Sequence, residues 1–280
     1  MPELPEVQTV INDLNDALAL PATITGAAVF WPKTVTGCNP DDFDAVLRGR
    51  KIMRIWRRAK YIVIDLDNNR HLVIHLRMTG HLLLAPAGAP RDKHEHVVLH
   101  LADGRELRFH DTRKFGRFYL TDDLQTFFGN IGPEPLSNGF APVILADMLK
   151  GKSRKLKPLL LDQGFMAGLG NIYVDEALWE AGLHPETKAG DVTPEEAQKL
   201  YHAIVKVLQS GLDNMGTTLG TSAANYYSVG GRTGRNRDKL QVFRRQGLPC
   251  PRCGTTIEKL VVGQRGTHIC PQCQRQKKTE

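Results

Sequence analysis

From Pro5 to Leu20 the apolar positions Val7, Val10, Ile11, Leu14 and Leu18 recur at helical spacing, and Pro5 suits a first helical turn, so the chain is expected to open with an amphipathic helix. From about residue 22 to 120 the pattern shortens to strand length. Tyr61–Leu66, His71–Leu76, His81–Leu84, Val97–Leu101 and Glu106–Phe109 are apolar-rich runs, parted by the turn residues Asp67-Asn68-Asn69, Thr79-Gly80 and Asp103-Gly104. No helix-length pattern lies between them, which predicts an antiparallel sheet folded as a sandwich. Residues 129–142 are rich in Gly, Pro, Ser and Asn and read as a linker. Helical spacing then returns near 143–150, 156–163, 172–181 and 194–214, the last opened by Thr193-Pro194-Glu195-Glu196. Residues 216–238 carry many glycines and hydroxyls and read as a mobile loop.

An apolar share of 41% with 24% charged residues is that of a globular chain. No run approaches the roughly 20 apolar residues that span a membrane. The acidic start has no signal-peptide character, so the expected address is cytosolic. Charge changes the picture more by its placement than by its total of +7. Arg50 to Lys60 holds six basic residues and no acid, and Lys150 to Lys157 holds five and no acid. From Arg232 to the end, twelve Lys and Arg face three acids. Separate basic blocks fit a polyanion, above all nucleic acid, gripped by several elements.

Two features carry candidate chemistry. Cys250, Cys253, Cys270 and Cys273 form two Cys-x-x-Cys pairs 16 residues apart, the spacing of a zinc ribbon that holds one structural Zn²⁺. Disulfides are the alternative, disfavoured in a reducing compartment; Cys38 stands alone and reads as structural. The second feature is the opening Met1-Pro2-Glu3-Leu4-Pro5-Glu6. Removal of Met1 would leave Pro2 with a free secondary amine, and an α-amine titrates near 8, well below lysine. A helix N-terminus beside it would help keep that amine neutral. With Glu3 and Glu6 next to it, this is a kit for imine chemistry at a sugar carbon. The same residues also fit ordinary helix-start chemistry. Gly164 to Asn171, with glycines at 164, 168 and 170 before a helix, offers backbone N–H groups to a phosphate.

Taken in order, Met1–Val7, Arg57-Arg58-Ala59-Lys60-Tyr61, His75–Gly80, Asp111–Gly116, Gly132–Leu136, Ala167–Tyr173 and the four-cysteine ribbon resemble the formamidopyrimidine-DNA glycosylase family over essentially the whole chain. The resemblance implies a bacterial, cytoplasmic, nucleoid-associated monomer. Its partner would be double-stranded DNA containing oxidised bases, from which it would excise oxidised purines as a combined glycosylase and abasic-site lyase. Pro2 would attack C1′ and form a Schiff base, and Glu3 would be the general acid and base. Lys60 would bind phosphate and assist β-elimination, and Arg265 at the ribbon tip would bind phosphates and serve δ-elimination. Met78, Arg113 and Phe115 would fill the gap left by the extruded base, with Arg113 on the orphaned cytosine. His94, Lys152 and Asn171 would contact DNA, and Glu6 would lie near the flipped base. Read without the resemblance, Met78 and Phe115 are ordinary strand-end core.

The implied architecture is α+β in two domains: an N-terminal helix plus antiparallel β-sandwich, then a helical domain with a helix–two-turn–helix and a β-hairpin zinc ribbon. The expected segments are 1–131 (catalytic sandwich), 132–142 (linker), 143–238 (helix–two-turn–helix with a lesion-capping loop) and 239–280 (zinc finger). Three features depart from the family pattern. Gln8 stands where Glu is usual, Phe243 replaces a tyrosine, and Arg232–Lys239 is unusually charged. Lesion preference is the inference they touch. The competing readings are an endonuclease VIII-like enzyme for oxidised pyrimidines and a non-catalytic binder of damaged DNA.

Overall fold

The computed structural model describes residues 1–220 and 226–276. Positions 221–225 of the expected 216–238 loop, and positions 277–280, lie outside the described residues. The chain divides into two compact units: Met1–Gly129 together with Leu212–Arg237, and Asn130–Gly211 together with the chain from Asp238 onward. Residues 212–237 thus group with the N-terminal unit.

In the first unit, α1 (Leu4–Ala17) buries Val7, Val10, Ile11 and Leu14 completely or nearly so, the stripe expected from their spacing. The strands are β1 (Ala22–Val29), β2 (Val35–Thr36), β3 (Lys51–Arg58), β4 (Tyr61–Leu66), β5 (His71–His75), β6 (Gly80–Pro86), β7 (Glu95–Leu101), β8 (Arg105–Asp111) and β9 (Arg117–Thr121), with short helices α2 (Phe43–Leu47) and α3 (Leu124–Phe127). They are hydrogen-bonded in the order β2-β9-β5-β4-β3-β1-β7-β8-β6. Strand β1 belongs to both halves of the sandwich. Ala22 and Thr23 pair with β3, and after a register shift between Ile24 and Gly26 the rest pairs with β7. One core takes side chains from α1 and from both halves, among them Leu14, Ile52, Ile62, Leu99 and Phe109. The antiparallel expectation needs one correction: β2 runs parallel to β9, Val35 opposite Phe118. A two-residue strand entered from the Pro32–Thr34 turn can pair at the sheet edge without the long crossover that parallel strands inside a sheet require.

Strand β3 lies inside the basic block. Its inward positions Ile52 and Ile55 are buried while Lys51 and Arg54 face out, so the charges ride on the solvent side of a strand.

The second unit holds α4 (Pro142–Leu149), α5 (Leu156–Leu160), α6 (Asn171–Ala181) and α7 (Pro194–Asp213), then the hairpin β10 (Glu258–Val262) and β11 (Arg265–Ile269). Helix α6 ends on Gly182 in the left-handed region (φ +72°), where a side chain would be strained. It is buried almost all round, and Trp179 packs with Val242, Cys250, Ile257 and Cys270, so the ribbon's small core is built on this helix.

Candidate active site and nucleic-acid interface

The N-terminal Pro2 and Glu3 sit at the start of α1. Met1 is exposed, Pro2 is buried, and Glu3 is the N-cap residue with extended backbone. Glu6, at the third helical position, turns its carboxylate back so that the Glu3 N–H donates to Oε2 at 2.8 Å, half of a capping box. Its other oxygen accepts from the Thr217 N–H at 2.7 Å. Glu6 is 1% exposed, and both bonds are charge-assisted.

Lys60 lies in the turn between β3 and β4. Arg57 sets this turn: its Nε donates to Gln8 Oε1 at 3.0 Å and its Nη1 to the Ala59 carbonyl at 3.0 Å, while Ala59 takes a left-handed φ of +53°. The amide oxygen of Gln8 is therefore the α1 end of a tether to the Lys60 turn. Lys60 is buried, and His75 is one of its electrostatic neighbours. The His75 Nδ1 accepts the Arg77 N–H at 2.9 Å, and Tyr61 packs edge-on against its ring. Burial, then the charges of Arg77 and Lys60, push His75 down to about 3, so the ring is neutral.

Met78, Arg113 and Phe115 come together at the surface. Arg113 Nη1 donates to Met78 Sδ at 3.2 Å, and the guanidinium lies 4.8 Å from the Phe115 ring centroid. Met78 is 43% exposed and Phe115 45%, so the strand-end-core reading fails for both. Their turns are organised by Asp111, which is fully buried. Its carboxylate accepts from the Thr79 hydroxyl, the Arg113 N–H at 3.1 Å and the Gly116 N–H at 2.7 Å. Gly116 is obligatory, because a Cβ there would sit 2.2 Å from the Phe109 ring. His94, half-buried, is bound to the same turn through its carbonyl, which accepts the Asp111 N–H.

In the second unit Arg265 opens β11, exposed at the hairpin tip. Behind it the Gly266 carbonyl accepts from Asn171 Nδ2 and from Lys157 Nζ, each at 3.0 Å. Lys157 and Asp175 form an ion pair at 2.6 Å with both side chains wholly buried, and the second Asp175 oxygen accepts the His268 N–H at 2.9 Å. Asn171 Oδ1 is buried and has no hydrogen-bond partner among the described residues. Lys152 is exposed, and its carbonyl accepts the Gly190 N–H. Glu176, next to Asp175, accepts the backbone N–H groups of Gln241, Val242 and Phe243; burial nevertheless raises its carboxyl above the usual range. Phe243 packs its ring 5.0 Å from His268, an apolar contact that uses no hydroxyl.

The four ribbon cysteines have their sulfurs within 4.8 Å of one another. The separations of 3.4, 3.5 and 3.9 Å bracket the edge of about 3.8 Å that a Zn–S bond of roughly 2.3 Å gives a tetrahedron, and are far from a disulfide's S–S length. Among the described residues this is the one cluster of three or more candidate metal ligands. Four thiolates would leave no open position, so the ion's work is structural.

Several positioning residues escaped sequence reasoning: Asp111, His75, Lys157, Asp175 and Glu176. Asp111 opens one of the quoted motifs and Lys157 closes a basic block, but nothing in a sequence says that a charge is buried.

A two-unit molecule with an N-terminal proline at a capped helix, an exposed Met–Arg–Phe cluster and a four-cysteine hairpin is the layout of a DNA glycosylase. The sequence matches three family models: the formamidopyrimidine-DNA glycosylase N-terminal domain over residues 1–118, the formamidopyrimidine-DNA glycosylase H2TH domain over 131–223, and a zinc finger found in FPG and IleRS over 247–276. Curated relatives named formamidopyrimidine-DNA glycosylase include one from Protochlamydia amoebophila, 46% identical over 98% of this chain and all of that one. Another, from Chloroflexus aurantiacus, is 47% identical over 98% of each chain. Solved structures of Lactococcus lactis Fpg with Fapy-dG containing DNA and with abasic-site DNA superpose with a TM-score of 0.90 at 36% identity, covering 98% of this chain and all of that one. The chain belongs to the formamidopyrimidine-DNA glycosylase family.

Two predictions follow from the buried charges. His75 refuses a proton that the unfolded chain takes up near pH 6.5. Its contribution to stability is whole above pH 6.5 and lost as pH falls toward about 3, and His81, lowered to about 4 by burial and then by His110, acts in the same direction. The unfolding midpoint should drop between pH 7 and 4.5, and His75→Asn, whose amide oxygen can accept the same Arg77 N–H, should flatten that slope; an unchanged slope counts against the assignment. Lys157→Met should cost about 3–5 kcal/mol in denaturant unfolding because it strands a buried carboxylate, and a loss under about 1 kcal/mol would mean that Asp175 is satisfied without the lysine.

Proposed function

We propose that this protein is a bifunctional DNA glycosylase and abasic-site lyase that excises oxidised purines, 8-oxoguanine and formamidopyrimidines, from double-stranded DNA. The observation that carries the reading is the buried Pro2 at the start of α1, with Glu3 as its N-cap residue, in a chain whose full-length relatives bear the glycosylase name. With Met1 removed, the Pro2 nitrogen attacks C1′, the bond from C1′ to the damaged base breaks, and the base leaves with the proton that the amine gives up. Glu3 protonates the ring oxygen, so the sugar opens to an iminium on Pro2. Loss of the C2′ proton expels the 3′ phosphate, loss of the C4′ proton expels the 5′ phosphate, and water hydrolyses the iminium to release Pro2.

Lys60 assists the first elimination and Arg265 the second. Met78, Arg113 and Phe115 occupy the space the extruded base leaves, a task that suits an adaptable thioether, a wedge-like ring and a guanidinium that can read a base edge. His94, Lys152 and Asn171 hold the DNA backbone, and Glu6 lies beside the flipped base. By role, segment 1–131 is the catalytic part, 132–142 the linker, 143–238 the helix–two-turn–helix with the loop that caps the base, and 239–280 the zinc finger, with the loop's residues 212–237 returning to the compact unit of the catalytic part. The protein acts as a monomer in the bacterial cytoplasm, at the nucleoid. No described helix is long and apolar enough to cross a membrane.

Borohydride added during reaction with an 8-oxoguanine duplex should trap a covalent protein–DNA adduct. The adduct should be absent for Pro2→Gly and for protein that retains a blocked terminus. No adduct with any oxidised base or abasic site would overturn the lyase reading, and preference for an oxidised-pyrimidine panel would move the protein to the other branch. Cys253→Ala should lose zinc, about one equivalent per chain, together with DNA affinity; full affinity without metal would separate the ribbon from binding.

A further inference from the structure

The charged segment Arg232–Lys239 has a defined place. Residues 216–218 and 234–236 pair as a short stem. The Asn236 N–H donates to the Gly216 carbonyl at 3.0 Å, the Gly234 N–H to the Thr218 hydroxyl at 2.8 Å, and Asn236 Nδ2 to Thr217 Oγ1 at 3.0 Å. Gly234 and Asn236 are buried while Arg235 and Arg237 face outward. A Cβ on Gly234 would lie 2.3 Å from the Gly216 carbonyl oxygen, so this side of the stem tolerates only glycine.

The stem is fixed to α1 at two points. Thr217 donates to Glu6, as above, and Arg232 Nη2 forms an ion pair with Asp13 Oδ1. Glu6 and Asp13 are seven residues apart, two helical turns, and so share one face of α1. Asp13 is 8% exposed and, among the described residues, its second carboxylate oxygen has no hydrogen-bond partner, so the guanidinium of Arg232, itself more than half exposed, supplies charge to this acid from the solvent side. Between the two anchors, Tyr226 packs against Gly216, and its carbonyl accepts the Thr218 hydroxyl.

One Glu6 oxygen accepts from Glu3, the residue after Pro2, and the other from Thr217, so a single carboxylate joins the stem to the helix start that carries Pro2. We propose that Asp13 and Arg232 are positioning residues for base excision. By holding the stem on α1 they set the wall against which a damaged base is recognised, and they are not needed once the base is gone. The proposal rests on the glycosylase reading above. It makes a split prediction, because a preformed abasic site offers Pro2 a sugar with no base to recognise.

The test measures single-turnover excision of 8-oxoguanine and strand cleavage at a preformed abasic site on the same preparations. The variants are Asp13→Asn, Arg232→Gln and the exchanged pair Asp13→Arg with Arg232→Asp, with unfolding midpoints recorded for each. Excision should fall about tenfold or more in the single variants, a size that misplacement of a site wall readily produces. Abasic-site cleavage should stay within about twofold of the unaltered protein, and the exchanged pair should recover much of the lost excision. Arg232→Lys, which keeps the charge, should lie between the unaltered protein and Arg232→Gln even if Asp13→Asn folds poorly. Equal loss of both activities, or no loss of either, overturns the proposal. If the unaltered protein itself cleaves neither substrate, it is the glycosylase reading that fails.

Discussion

The Glu6 carboxylate is the interaction on which the N-terminal unit depends. A carboxylate accepts hydrogen bonds and donates none, and at 1% exposure it has lost almost all access to water. Such a group is tolerable only when its oxygens are met by donors. The Glu3 N–H and the Thr217 N–H meet them, one from the residue after Pro2 and one from a segment more than two hundred positions away. Neither the helix start nor the stem can move without stranding that charge. The same requirement accounts for Gly216: at φ +79° a side chain would be strained, and a Cβ would lie 2.8 Å from the Glu6 Cγ.

The second unit solves its positioning problem with the same chemistry. Asp175 and Glu176 are consecutive on α6, about 100° apart around the helix. Asp175 faces Lys157 and the His268 N–H, and Glu176 faces three N–H groups of residues 241–243. One turn of helix thus pins the base of the hairpin and the chain that leads into it. Four cysteines close the far side. Arg265 is left with an exposed side chain on a backbone that is held at Gly266 by Lys157 and Asn171. Rigidity behind an exposed guanidinium is what a precise grip on phosphate requires.

How legible this was in the sequence depended on whether a residue reports itself through period or through spacing. Helix α1 showed because its apolar stripe repeats over four turns, and the ribbon because two Cys-x-x-Cys pairs leave little else to conclude. Strand β3 was hidden, since Lys51, Arg54, Arg57 and Arg58 made it read as a charge block, although Lys51 and Arg54 are the outward positions of a strand whose Ile52 and Ile55 point in and Arg57 reaches to α1. Met78 and Phe115 look like core by residue type alone; only the Asp111-centred turns turn them outward. The buried acids were illegible for a deeper reason. Asp111, Asp175 and Glu176 are ordinary surface residues by type, and the N–H groups that make their burial tolerable come mostly from turns and distant strands.

The three departures from the family pattern fall on this positioning layer and not on the groups that would react. Gln8 tethers Arg57 and through it the Lys60 turn, Phe243 packs on His268 beside the Asp175 network, and Arg232 pairs with Asp13 beside the Glu6 anchor. Each makes its contact with a residue that supports a candidate reactive or DNA-binding side chain, not with that side chain itself. Changes of that kind leave the available chemistry alone and alter how firmly, and at what angle, it is presented. Since a glycosylase selects its base by how well an extruded nucleotide fits before the sugar bond breaks, selectivity is the property most exposed to them. A neutral amide in place of a carboxylate at residue 8 is the mildest of the three, because Arg57 keeps a partner. The Asp13–Arg232 pair is the strongest, because it is an ionic contact on the same face of α1 as Glu6 and its acid has almost no water to fall back on.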